Sequence, residues 1–321
     1  MSLFRTEVTI APSTVKMDYK TRFGTVGSCF SNSIGEKLTD NKFDCLINPF
    51  GTIFNPISIH ELVKLACYNK PPDENSYVFT EEIWRNYQLH SSYFSKDKNE
   101  LEDKINSTIS TVHYFLKITD YIIITYGTAF VYETNDTNQI VANCHKQPAN
   151  QFSKRLLTVE EITESFKTML EAIRKINPGC KVILTVSPVR HLKDTLELNS
   201  VSKSILRIAS HQLIQSAVAY FPAYEFVLDD LRDYRFYEAD MIHPNQQAID
   251  YIWGKFSECY FTESTKDFIK QWKDMKAALN HRPFNPEGEA HQKFLCKTIE
   301  KLNELNKIAD MQQEIDHVKS I

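Results

Sequence analysis

The chain reads as an α/β protein: a mainly parallel sheet of about five strands layered between helices, with further helices at its C-terminal end. Three observations point there. Short runs rich in β-branched residues, such as Tyr121–Thr125 and Lys181–Val186, are continuous rather than alternating, as in strands buried on both faces. Stretches of helical spacing separate these runs. The 321 residues are 42% hydrophobic and 12% aromatic, ample for a core, while only eight glycines argue against repeat-rich β architectures and glycine-rich phosphate loops.

In chain order, 22–26 is a first short strand, made plausible by the turn Gly27-Ser28-Cys29-Phe30-Ser31 and by a helix carrying Ile34, Leu38 and Phe43. A second strand, 44–48, is ended by Pro49 and Gly51, and a turn-rich loop runs on to Pro56. Residues 60–68 are apolar at helical spacing and Pro71-Pro72 stops them. Residues 73–120 read as an insertion or long crossover: an aromatic-rich part (Trp84, Tyr87, His90, Tyr93, Phe94), then a charged helix over 98–116. The third strand, 121–125, leads into Gly127-Thr128-Ala129. After the polar loop 141–148, Thr158-Val-Glu-Glu161 is a capping box that opens a helix with Ile162, Phe166, Met169, Leu170 and Ile173 on one face. Strand 181–186 is broken by Ser187-Pro188, and the pattern predicts a helix over 201–220 and a fifth strand over 224–228. A first domain is therefore expected over 1–262 and a helical extension over 263–321. There a helix at 266–279 precedes another beginning at Asn285-Pro286-Glu287. The apolar stripe of that last helix (Leu295, Ile299, Leu302, Leu305, Ile308, Met311) packs on the same chain or, alternatively, offers a homodimer face.

Two short stretches carry chemistry. Asp240 stands three residues before His243, so its carboxylate can hold the imidazole in one tautomer and leave the other nitrogen as a base. Gly27-Ser28-Cys29 places a hydroxyl and a thiol at a helix N-terminus, where free N–H groups and the helix dipole favour developing negative charge. Arg190 stands just beyond a strand's carboxyl end, the edge where doubly wound sheets bind ligands, and can clamp a carboxylate or phosphate.

These stretches, with Thr185-Val-Ser-Pro-Val-Arg-His191 and Leu231-Arg-Asp-Tyr-Arg-Phe-Tyr237, resemble the GSCFA family, within or beside the SGNH (GDSL-like) hydrolase superfamily, over about residues 6–262. The resemblance implies a three-layer SGNH-like fold and an acyl ester hydrolase or acyltransferase acting on O-acylated carbohydrate or lipid. Laid without a gap on the superfamily's Gly-Asp-Ser, the turn puts Cys29 in the nucleophile slot; a one-residue shift puts Ser28 there. His243 would be the base and Asp240 its orienting carboxylate, with N–H groups of Cys29 and Gly51 around the oxyanion. The superfamily's Gly-x-Asn falls on Gly127-Thr128-Ala129, so the Asn donor is missing, a loss worth about 10²–10³ in rate unless Thr128 or the insertion supplies it. An Asn-Cys-His-Lys segment like 143–146 recurs in GSCFA-like sequences and makes His145 a candidate for the site's wall. Ala129 and the Ser28/Cys29 ambiguity keep open a non-catalytic binding module on the same fold.

A net charge of −4 without a basic block gives nucleic acid no electrostatic purchase. No run of apolar residues is long enough to span a membrane. The N-terminus shows no signal peptide, so the expected location is cytoplasmic, with the seven scattered cysteines reduced. No paired ligand spacing suggests a metal, and no cofactor is expected. The expected partner is a small-molecule, glycan or lipid acyl substrate.

Overall fold

The computed structural model describes residues 6–215 and 217–320; the first five residues of the stretch read as lacking a signal peptide lie outside them. Two compact units divide the chain: Met1–Ile10, Arg22–Glu36 and Cys45–Trp253 form one, and Ala11–Thr21, Lys37–Asp44 and Gly254–Ile321 the other.

The first unit is built on strands β1 (Phe23–Gly27), β2 (Cys45–Ile47), β6 (Tyr121–Tyr126), β10 (Lys181–Val186) and β11 (Val218–Tyr220), in the order β11-β10-β6-β1-β2 and all parallel. This is the α/β class expected from the continuous apolar runs. Every residue of β1 and β6 is buried, because helices cover both faces. Ile122, Ile124 and Tyr126 of β6 and Val182, Leu184 and Val186 of β10 join one core with the inner faces of α2 (Pro56–Tyr68), α3 (Lys98–Leu116) and α4 (Val159–Ile176). Burying each such Ile or Leu is worth roughly 1.5–3 kcal/mol. Thr158 and Glu161 close the expected capping box on α4. Because β1 lies between β2 and β6, the chain places β2 on one side of β1 and then returns across it to place β6 on the other. A crevice therefore opens at the carboxyl ends of β1 and β6.

Two antiparallel sheets were not visible in the sequence. One joins β3 (Tyr77–Thr80), β4 (Ile83–Asn86) and β5 (Phe94–Ser95); the other joins β7 (Phe130–Thr134), β8 (Ile140–Val141) and β9 (Phe152–Leu156) in the order β8-β7-β9. Their strands have two to five residues and are mostly half-exposed, too short for a period to register. The expected fifth strand is also corrected. Residues 224–228 are helical, in the turn α6 (Ala223–Glu225) and a π-helical turn (Phe226–Asp230), and the fifth strand is β11. Helix α5 runs Thr195–Gln212 and stops well before Tyr220. The apolar run 217–221 fits a helix end as readily as a strand, and only its pairing with Val182, Ile183 and Leu184 decides between them.

The second unit is helical at its C-terminal end: α8 (Glu263–Leu279), α9 (Glu289–Leu305) and α10 (Gln312–Lys319), following α7 (Gln246–Tyr260). Its core joins Phe268, Trp272 and Met275 to Leu295, Leu302, Leu305, Met311, Ile315 and Val318. Most of the apolar stripe is thus buried within the chain, although Ile308 is 51% exposed. Tyr19 stacks on Phe43 with ring centroids 4.6 Å apart, and Trp272 Nε1 donates to Asp40 O at 2.7 Å. No helix among the described residues is long and apolar enough to cross a membrane.

Candidate active site

At the end of β1 the chain turns sharply. Gly27 takes φ +133°, and a Cβ there would lie 2.1 Å from Thr125 O. Asn48, just after β2, braces this turn: its Oδ1 accepts from Gly27 N at 2.9 Å, and its Nδ2 donates to Gly27 O at 3.2 Å and Asn32 Oδ1 at 2.9 Å. The turn delivers Ser28 and then Cys29, the first residue of α1 (Cys29–Asp40). Their surroundings differ. Ser28 is fully buried, and its hydroxyl has no hydrogen-bond partner among the described residues. Cys29 is partly exposed. Burial raises the thiol's pKa, and the first-turn N–H groups of Phe30 and Cys29, then the Lys203 side chain, pull it back down.

The Asp240–His243 pair forms as its spacing predicts. His243 Nδ1 lies 2.7 Å from Asp240 Oδ2, while Asp240 Oδ1 accepts from the backbone N–H groups of Ile242 at 2.8 Å and His243 at 3.0 Å. Those donors hold the Asp240 carboxyl down at about 2. Neither Ser28 nor Cys29 hydrogen-bonds His243. Arg190 packs against this loop. Its guanidinium stacks on Tyr237 (4.2 Å) and Tyr234 (5.0 Å), and its Nη1 donates to Met241 O at 3.3 Å. Replacing Arg190 with Ala is expected to lower stability by about 1–2 kcal/mol and to speed amide exchange at 240–243. Unchanged exchange there would remove Arg190 from this role.

Of the two backbone donors expected around an oxyanion, Gly51 is engaged, and so are the neighbouring amides of Gly127 and Thr128. Gly51 N donates to Asn48 O at 2.8 Å, and Gly127 N and Thr128 N both donate to Phe54 O, at 2.8 and 3.1 Å. The Thr128 hydroxyl accepts from Phe130 N at 3.1 Å and lies 3.0 Å from Ser202 Oγ. Beneath them lie Lys203, whose part the sequence did not reveal, and His191, which like Arg190 follows the carboxyl end of a strand. Lys203, 1% exposed, donates to Gly127 O and Ser187 O, each at 2.7 Å. His191 has a buried Nε2 with no partner among the described residues, and burial lowers its pKa to about 4, with Lys203 and His243 adding to the shift.

A cavity of about 700 Å³ adjoins this edge, lined by Phe54, Thr128, Phe130, Tyr132, Phe152 and His191 among others. Cys144 and Lys146 line it too. His145, between them, does not: at φ +49° it turns inward, and its Nε2 meets Asn86 O at 2.7 Å. No cluster of metal-ligating side chains exists among the described residues.

A model of the GSCFA family matches residues 22–256, and one described as the GSCFA domain protein, C-terminal domain, matches residues 272–321. None of the curated proteins matches. Among solved structures, the chain is similar to a carbohydrate esterase family 3 protein from Talaromyces cellulolyticus, at 11% identity over 79% of this chain and 99% of that one, TM-score 0.35. It is also similar to a putative platelet activating factor from Streptococcus pneumonia, at 9% identity over 80% and 86%, TM-score 0.39. A third is a carbohydrate esterase family 2 enzyme plus carbohydrate binding domain from Corynascus thermopiles (Myceliophthora fergusii), at 14% over 82% and 69%, TM-score 0.34. Similarity at this level carries no argument about chemistry. The family match, by contrast, spans most of the 321 residues, and the chain belongs to the GSCFA family.

Proposed function

We propose that the chain is an acyl ester hydrolase or acyltransferase in which Cys29 is the nucleophile, His243 the base and Asp240 its orienting carboxylate. The observation that carries this reading is the 2.7 Å bond between His243 Nδ1 and Asp240 Oδ2. It leaves Nε2 for proton transfer in a loop whose carboxylate acts electrostatically on Cys29. The exposure of Cys29 beside a fully buried Ser28 favours the thiol over the hydroxyl.

Burial raises the thiol's pKa, so the resting nucleophile is S–H and a base has to act. His243 Nε2 takes that proton as sulfur bonds to the acyl carbon. The tetrahedral intermediate then collapses, the C–O bond breaks, and His243 returns the proton to the leaving alcohol. Water or a second alcohol, deprotonated by the same imidazole, releases the acyl group from sulfur. His243 closes on Cys29 only with substrate present, the looser resting geometry being usual for such sites. Engagement of the Gly51, Gly127 and Thr128 amides, and of Ser31 N with Ser28 O, leaves the N–H groups of Cys29 and Phe30 at the start of α1 as the oxyanion donors. The cavity beside Thr128 and His191 takes the body of the substrate; its aromatic walls and the amides of Asn143 and Gln147 suit an O-acylated carbohydrate.

The alternative, a binding module on the same fold, is favoured by those engaged amides and by Ala129, whose side chain offers no donor. Intact mass after mild alkylation, and separately after a fluorophosphonate probe, divides the readings. Selective alkylation of Cys29 is expected. Selective phosphonylation of Ser28 would move the nucleophile by one residue. Equal, slow reaction of all thiols and serines would leave the binding module.

A further inference from the structure

An ammonium withdrawn from water costs stability unless something compensates for it, so a fully buried lysine calls for a reason. Lys203 projects from α5 into the floor of the crevice, where its Nζ lies 2.7 Å from both Gly127 O and Ser187 O. These carbonyls stand just past the ends of β6 and β10. One strand over, Ser28 N donates to Thr125 O at 3.1 Å, so Cys29 stands above the same edge of the sheet. The chemistry proposed above creates negative charge there, and the Asn amide of the superfamily pattern is replaced by Ala129.

We propose that Lys203 is the charge-balancing residue of this site: clamped between Gly127 and Ser187, its ammonium stabilises the anion that forms at Cys29. The proposal rests on the reading of Cys29 as the nucleophile. Lys203 is too buried to touch substrate and acts through Cys29, which makes it a positioning residue. The two groups shift each other: Lys203 pulls the thiol's pKa down, and Cys29 pulls the amine's up. Burial is the larger influence on the amine and lowers it to about 7, so its charge responds to its neighbours near neutral pH. Facing it are Cys29 from α1, His191 from the segment after β10, and the Tyr224 ring at 5.9 Å; Asp240 acts in turn on Cys29, and His243 on His191.

The test is the rate of iodoacetamide reaction at Cys29, read by peptide mass over a pH series, for the wild type, K203M and K203R. Loss of the charge in K203M is expected to slow Cys29 at least about threefold, equivalent to half a pKa unit, with K203R nearer the wild type. Superimposable wild-type and K203M profiles overturn the proposal and leave Lys203 as a clamp on two carbonyls. Should K203M not fold, wild-type protein supplies the answer. Cys29 is labelled with iodoacetate or with iodoacetamide, and Lys203 is titrated by NMR. The added carboxylate is expected to raise the Lys203 pKa by at least about half a unit, because coupling between two sites is reciprocal. Identical titrations overturn the proposal. Neither readout requires turnover, so a chain without esterase activity still passes or fails on its own terms.

Discussion

Replacing His243 with alanine is expected to lower ester turnover by about 10²–10⁴-fold while leaving the fold intact. The ring is 46% exposed, so its removal opens no cavity in the core. Its Nδ1 is tied to Asp240 Oδ2 at 2.7 Å, and Asp240 is itself held by two backbone N–H groups that keep it ionised down to about pH 2. At any pH well above that, the carboxylate selects the tautomer with its proton on Nδ1, and Nε2 is the available base. Turnover of p-nitrophenyl acetate by the wild type and H243A, with thermal melts of both, measures the effect. Equal turnover would take His243 out of the mechanism and turn the interpretation toward the binding module.

Replacing Gly27 with alanine is expected to destabilise the protein by on the order of 3 kcal/mol or more. The backbone there has φ +133°, a region closed to residues with a side chain. The added Cβ would fall 2.1 Å from Thr125 O and 2.9 Å from Thr125 C, which are backbone atoms of β6 in register with Gly27 itself. A flexible side chain could move aside, but the strand cannot shift without breaking its pairing to both β1 and β10. The denaturant midpoint and soluble yield of G27A report this. A variant as stable as the wild type would mean that the turn into Cys29 has a second conformation.

What was legible was what short stretches of chain decide. The strands read at 121–125 and 181–186 showed themselves because burial on both faces leaves a continuous apolar run. The capping box at Thr158 and Glu161 is closed within one turn, and the Asp240–His243 contact spans three residues. Strand β11 and the two small sheets were not legible, because three half-buried residues carry no period and acquire their identity from the strand they pair with. Lys203 was hidden for a related reason. On a helix of mixed composition a lysine reads as a solvated face, and only the docking of α5 on the sheet turns it toward Gly127 and Ser187.

The sequence by itself determined the α/β class, the turn that carries Ser28 and Cys29, and the carboxylate–imidazole pair, since each follows from residues near one another in the chain. Only the tertiary structure decided that Ser28 lies sealed while Cys29 meets solvent, that the Gly51, Gly127 and Thr128 amides are already bonded, and that a lysine sits beneath them. Exposure, and bonds such as Lys203 to Gly127 or Gly127 to Phe54 between segments far apart in the chain, arise from packing, and packing leaves no local trace in the order of amino acids.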